Sequence, residues 1–190
     1  MSLESDRTEL RTILLEKSVK TGDFTLASGK KSDLYVDCRV TTLDARGAVL
    51  VGRLLRHLIQ EKAASLNLQP TCTGGLTMGA DPLALATAIA SSLAGDTPPL
   101  QAFTVRKEPK GHGRGKRIEG NFSTTAPVVA LDDVITTGGS TLKAIEAIEE
   151  EGGSIAFVAV LVDRSEGGRA AIEARGYPVV SVFTREELLG

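Results

Sequence analysis

The stretch from Pro127 to Arg164 constrains the fold more than any other part of the chain. Pro127 to Leu131 (PVVAL) and Ile155 to Val162 are almost wholly aliphatic, and each is only long enough for a strand. Such runs, with no alternating polar positions, suit strands covered on both faces. Between them, from about Ser140 to Glu151, Leu142, Ile145 and Ile148 recur at helical spacing, and Gly152-Gly153 stops the pattern. Two buried strands joined by one helix are a βαβ unit with a right-handed crossover. A chain built around that unit is α/β, with a mostly parallel central sheet flanked by helices.

The remaining segments fit the same class. Asp6 to Val19 reads as a helix ended by Gly22, and residues 33–40 (DLYVDCRV) as a strand or extended segment. Asp44 is placed to cap a helix running to about Ala64, with Val49, Leu50, Leu54, Leu58 and Ile59 as its apolar face. Cys72 ends a short strand-like piece, followed by a break at Thr73-Gly74-Gly75 and a helix from about Pro82 to Leu93. Residues 100–105 form a strand, Gly168 to Ala174 a helix, and Val179 to Phe183 the last element expected. The length of 190 residues suits a single domain spanning 1–190, and a 42% hydrophobic content supports an aliphatic core. Cys38 and Cys72 show no metal-ligand spacing and read as buried free thiols. The start has no basic patch before an apolar run and nothing is long enough to span a membrane, so a soluble, cytoplasmic protein is expected.

Net charge is −2, a total that hides strong segregation. Residues 106–117 (RKEPKGHGRGKR) hold six Lys or Arg and one acid, a local +5, which leaves the rest of the chain at −7. Gly111, Gly113 and Gly115 disfavour both helix and strand there, so the segment reads as a loop. An acidic body argues against nucleic acid held by bulk charge, and no stacking aromatics are interleaved with the arginines. Such a loop is either a solvated face or a cover for a highly charged phosphate. In the second case Arg106, Lys107, Lys110 and His112 would neutralise charge or supply a proton.

The chemistry concentrates at Asp132-Asp133-Val134-Ile135-Thr136-Thr137-Gly138-Gly139-Ser140-Thr141. Acids at the carboxyl end of a central strand lie in the crevice where open α/β sheets bind ligands. The Thr/Gly turn then enters a helix amino terminus, whose free N–H groups and dipole suit a phosphate. Phosphate on the turn and hydroxyls on the acids together describe a phosphorylated sugar. There is no GxGxxG and no Walker pattern, which disfavours dinucleotide binding and P-loop chemistry. The Thr73-Gly74-Gly75 turn is either an anion site or an ordinary connection, and Asp81 is either a helix cap or a ligand contact. Arg164 can grip a planar carboxylate or pair with Asp163 or Glu166. The segment Ser28 to Arg39, with Lys30, Lys31 and Tyr35, can cover a flat ligand or simply form surface. His57 sits in a helix and reads as structural or exposed.

ALDDVITTGGST resembles the signature of type I phosphoribosyltransferases, which bind 5-phosphoribosyl 1-diphosphate. FTLASGKKSDLYVDCR, RKEPKGHGRG and DRSEGG make the chain similar to the orotate branch of that family, over residues 24 to 168. The resemblance implies conversion of orotate and 5-phosphoribosyl 1-diphosphate to orotidine 5′-monophosphate and diphosphate, with Mg2+ held mainly by substrate and water. It implies that Asp132 and Asp133 hold the ribose hydroxyls, that Thr136 to Thr141 take the 5-phosphate, and that Thr73 to Gly75 take the diphosphate. It assigns orotate to Lys31, Tyr35, Thr136 and Arg164, under a small hood built from residues 1–40. It further implies a homodimer in which loop 106–117, with Arg106, Lys107, Lys110 and His112, reaches the neighbouring site. Two positions depart from the pattern: Ala27 and Met78 stand where many bacterial members carry ligand-contacting lysines. A relative acting on a purine or uracil, and a regulatory protein that binds nucleic acid through the basic loop, are the rival readings.

Overall fold

A computed structural model describes residues 2–25, 31–108 and 116–190. Helix α1 (Leu3–Lys17) begins earlier than the apolar spacing indicates, because the Ser2 hydroxyl accepts the Ser5 amide at 3.2 Å and caps it. Strand β1 (Val19–Thr25) follows at once, so Gly22 lies inside a strand and is not the helix stop. It pairs antiparallel with β2 (Lys31–Val36). The expected extended run to Val40 is cut short because the Asp37 carboxylate accepts the Arg39 amide at 3.1 Å and starts the short helix α2 (Arg39–Thr42). Asp44 caps α3 (Ala45–Ser65) as expected, accepting from the amides of Arg46 and Gly47 at 3.0 and 2.9 Å. Leu50, Leu54 and Ile59 are buried, but Val49 is half exposed on the opposite side.

Strand β3 (Cys72–Leu76) corrects a second expectation, because Thr73, Gly74 and Gly75 form its middle and not a turn. A parallel ladder on each side commits their amides and carbonyls, and a Cβ at Gly75 would run into the Leu131 carbonyl. The chain continues through α4 (Ala80–Leu93) and β4 (Gln101–Val105) to a short strand, β5 (Ile118–Gly120), beyond the basic segment. Strand β5 was not anticipated; it pairs antiparallel with β4, and the Arg106 amide meets the Arg117 carbonyl at 2.8 Å. Strand β6 (Val128–Ile135) runs on through both acids, four residues past the aliphatic run. Helix α5 (Gly139–Glu150), β7 (Ile155–Asp163), α6 (Gly168–Glu173) and β8 (Val179–Thr184) follow. A final unanticipated helix, α7 (Arg185–Leu189), is held by a capping box between Thr184 and Glu187.

The main sheet has the order β5-β4-β3-β6-β7-β8, with every strand but β5 parallel. Val129 and Leu131 pack with Leu50, Leu55 and Leu83 on the α3/α4 face, while Val128 and Ala130 pack with Ile145 and Ile148 on the α5 face. That is why Val128 to Leu131, the first half of β6, is aliphatic at every position. From β3 the chain crosses outward to β4, and from β6 it crosses the other way to β7, so a crevice opens between their carboxyl ends. The β1–β2 hairpin is tied to this edge. Arg164 donates to the Leu34 carbonyl at 2.8 Å, and Arg185 pairs with Asp33 at 2.8 Å. Among the described residues no helix is long and apolar enough to cross a membrane.

Candidate active site

Continuing β6 through the acids sends their side chains to opposite faces. Asp132 follows Val128 and Ala130 towards α5 and is 5% exposed. It accepts the Thr141 hydroxyl at 2.6 Å and the Asp133 amide at 3.0 Å. Asp133 turns the other way, against Gly79, where a Cβ would overlap its carboxylate. Burial pushes both carboxyls above the ordinary range; the Thr141 hydroxyl partly opposes this at Asp132, and the Arg39 charge opposes it at Asp133. Two adjacent acids are thus held where ionisation is costly unless something cationic or hydrogen-bonding arrives.

Two pockets meet at this point, sharing Asp132, Val134 and Ser140. The first, about 270 Å³, is lined by Thr136, Thr137, Gly138, Gly139 and Ser140 at the start of α5, with Lys143 beside them. Gly138 adopts φ 82°, a left-handed conformation that turns the chain into the helix and leaves its first amides open. Lys143 escaped the sequence analysis. Its signal is that a cation one turn into a helix opposes the macrodipole, an arrangement that an anion would reverse. Thr141 does not line the pocket; its buried hydroxyl serves Asp132.

The second pocket, about 250 Å³, lies between hood and sheet. Tyr35, Asp37 and Arg39 form one wall, Thr77 to Gly79 after β3 the other, and Lys107 reaches its rim. The turn at the end of β3 is therefore Thr77 to Gly79, a few residues beyond the glycines that drew attention. Asp81 does not cap α4; it accepts from the hydroxyls of Thr77 at 2.6 Å and of Thr104, fixing that turn to β4. Tyr35 stacks at a tilt on Phe24, ring centroids 5.6 Å apart, and stays 39% exposed towards the pocket.

Several expected contributors stand elsewhere. Arg164 is 3% exposed and lines neither pocket; it binds Glu166 at 2.6 Å and the Leu34 carbonyl, which fixes the hood. Asp163 is taken by Arg169 at 2.8 Å. Arg106 faces Glu119 at 3.5 Å. Lys110 and His112 lie outside the described residues, as do Ala27, Lys30 and the side chain of Lys31. Cys38 and Cys72 are buried free thiols, as expected, and His57 is exposed on α3 near Glu61.

No family model matches the chain. It is 43% identical over 187 residues to an orotate phosphoribosyltransferase of Aquifex aeolicus, covering 97% of this chain and 98% of that one. The crystal structure of the Mycobacterium tuberculosis orotate phosphoribosyltransferase with Fe(III) dicitrate superposes with a TM-score of 0.81 at 42% identity, over 96% of this chain and 98% of that one. The same enzyme in complex with 5-phospho-alpha-D-ribosyl 1-diphosphate gives a TM-score of 0.75 at 36% identity, covering 97% and 92%. Relatedness this close over nearly the whole length makes the chain a member of the orotate phosphoribosyltransferase family.

Proposed function

We propose that the protein transfers the 5-phosphoribosyl group from 5-phosphoribosyl 1-diphosphate to N1 of orotate, giving orotidine 5′-monophosphate and diphosphate for pyrimidine nucleotide synthesis. The observation that carries this reading is the junction of the two pockets at Asp132. One pocket offers open helix amides and a lysine for the 5-phosphate. The other offers Asp133, Arg39 and Lys107 around a space for ribose and diphosphate. The bond from C1 to the diphosphate oxygen breaks as the bond from C1 to N1 forms. Positive charge on the ribosyl centre is shared with the ring oxygen and favoured by the two neighbouring acids. Orotate N1 is acidic enough to release its proton to water without a strong base. Tyr35 on the hood wall is placed to cover the flat base.

Asp132 and Asp133 supply hard oxygen donors of the kind magnesium prefers, and among the described residues no group of three His, Cys, Asp or Glu is placed to hold a metal ion by itself. That donor set fits a magnesium ion held by substrate oxygens and water beside the two acids; when bound, it would offset charge on the departing diphosphate. This reading assigns Lys107, Lys110 and His112 to the same group and Lys31 to orotate, while Arg164, buried against Glu166 and Leu34, serves the orotate side by holding the hood.

The reading also places the enzyme in the cytoplasm as a single-domain homodimer that shares loop 106–117. Support for a second copy comes from the outer face of α3 and α4. There Val49, Ile89 and Leu93 surround an apolar hollow of about 360 Å³. A monomer by sedimentation at working concentration would remove that part alone.

The reaction is tested by supplying 5-phosphoribosyl 1-diphosphate with magnesium and a panel of bases. Orotate is expected to be consumed with release of diphosphate, while adenine, guanine and uracil remain. Turnover of one of those bases in place of orotate would sink the assignment.

A further inference from the structure

The pocket proposed for diphosphate has a charge problem that its visible residues only partly solve. Asp37, Asp132 and Asp133 all line it, and a diphosphate leaving group would add several more negative charges. Among the described residues only Arg39 and Lys107 bring positive charge to its walls, and Met78, 63% exposed, brings none. Lys107 stands on the exposed first residues of the basic loop. Arg39 is different in kind, because the fold holds it in place.

Asp37 grips the Arg39 guanidinium at Nε and Nη2, both at 2.8 Å, and accepts the Arg39 amide at 3.1 Å. The planar fork is therefore fixed from one edge, while Nη1 makes no hydrogen bond with a described residue. Arg39 remains 46% exposed on its side chain, and its charge is felt at Asp133 across the pocket. A surface ion pair between residues two positions apart would contribute little to stability. An arginine clamped along one edge and open along the other is instead preorganised for bidentate capture of phosphate oxygens.

We infer that Arg39 is a binding residue for the diphosphate of the substrate, the fixed counterpart of the loop cations, and that Asp37 is the positioning residue that aims it. The inference rests on the phosphoribosyl-transfer reading and adds to it a hood residue acting on the leaving group.

The test compares the wild type with Arg39→Met, Asp37→Asn and the double variant Arg39→Met/Met78→Lys. Binding of inorganic diphosphate with magnesium is measured by calorimetry, alongside KM for each substrate. Thermal unfolding verifies that every variant is folded. Arg39→Met should weaken diphosphate binding and raise KM for 5-phosphoribosyl 1-diphosphate by about tenfold or more, as expected for loss of a charged hydrogen bond. KM for orotate should stay within about twofold, because the lost contact lies on the other substrate. Asp37→Asn, which keeps the cation and loosens its aim, should show the same pattern at smaller size. Met78→Lys, by returning a cation to the same pocket, should recover part of the loss. Unchanged diphosphate affinity in a folded Arg39→Met, or equal rises in both KM values, would overturn the inference. Absence of orotate turnover in the wild type would instead overturn the reaction.

Discussion

The two ends of the main sheet treat a carboxylate in opposite ways. At the end where β3, β4 and β6 begin, Asp96 is surrounded by donors. Arg56 holds both its oxygens, Gln60 Nε2 reaches one at 2.9 Å, and the Ser91 hydroxyl reaches the other at 2.7 Å. The Arg56 hydrogen bonds and then those from Ser91 and Gln60 hold its carboxyl down to about 2, against the opposing effect of burial. At the other end Asp132 is more deeply buried, has a hydroxyl and an amide for partners, and is pushed up. The first arrangement stabilises the fold. The second leaves a buried carboxyl whose ionisation is costly, which is the relation to stability expected of the working site proposed above.

The sharpest break of this comparison is Asp132→Asn. The variant can keep its oxygen for the Asp133 amide and donate its amide nitrogen to the Thr141 hydroxyl, and it loses the charge proposed to face the ribose. Orotate turnover is expected to fall about 10²- to 10³-fold, as for loss of one preorganised electrostatic contact. Stability should move the other way. A carboxyl raised on folding contributes its full stability below the unfolded pKa, and that contribution is lost as pH rises through the folded value. The amide has no such loss, so the variant should unfold at a higher temperature than the wild type above neutral pH, with the gain shrinking towards pH 4. Calorimetry across that range checks it; a variant equally destabilised at every pH would mean Asp132 is part of the scaffold.

Gly75→Ala probes the boundary between the two ends. The family resemblance assigns this glycine to the diphosphate, yet a methyl there meets the Leu131 carbonyl and the Ala80 side chain. Overpacking of the sheet centre should cost about 3 kcal/mol of stability, read from denaturant unfolding. Substrate KM in the surviving folded fraction should be unchanged. A raised KM without a stability loss would return Gly75 to the ligand.

This glycine shows where sequence reasoning reached its limit. The β6-α5-β7 unit was legible because aliphatic runs, helical periodicity and Gly152-Gly153 agree locally, and the same stretch carried Asp132, Asp133 and the Thr/Gly turn. Thr73-Gly74-Gly75 has the composition of a turn, and only the neighbouring strands reveal that the glycines serve close packing. Strand β5 is three residues long and exists because β4 offers it an edge. Lys143 lines its pocket only because of where α5 is set, and Arg39, though it closes the block FTLASGKKSDLYVDCR, faces the second pocket only because of where the hood is set. The pairing of Arg164 with Glu166 is one of the alternatives its sequence offers and is the one found, but its burial against Leu34 depends on hood packing that no single segment encodes.

The smallest expected effect belongs to the quiet end of the sheet. Asp96→Asn removes the charge from a partly buried network whose Ser91 hydroxyl also accepts the Leu100 amide at 2.9 Å. The variant leaves Arg56 without its carboxylate and should lose about 2 kcal/mol at neutral pH. The pH course is the reverse of that at Asp132. A carboxyl lowered on folding contributes stability above its unfolded pKa and loses it as pH falls through the folded value. The gap between wild type and Asp96→Asn should therefore be widest at neutral pH and close as pH falls from the ordinary carboxylate range towards 2. Orotate turnover should be unaffected, because Asp96 lies at the opposite edge from the cleft. A loss of activity in a folded Asp96→Asn protein, or a gap that widens in acid, would show that the two ends are not independent.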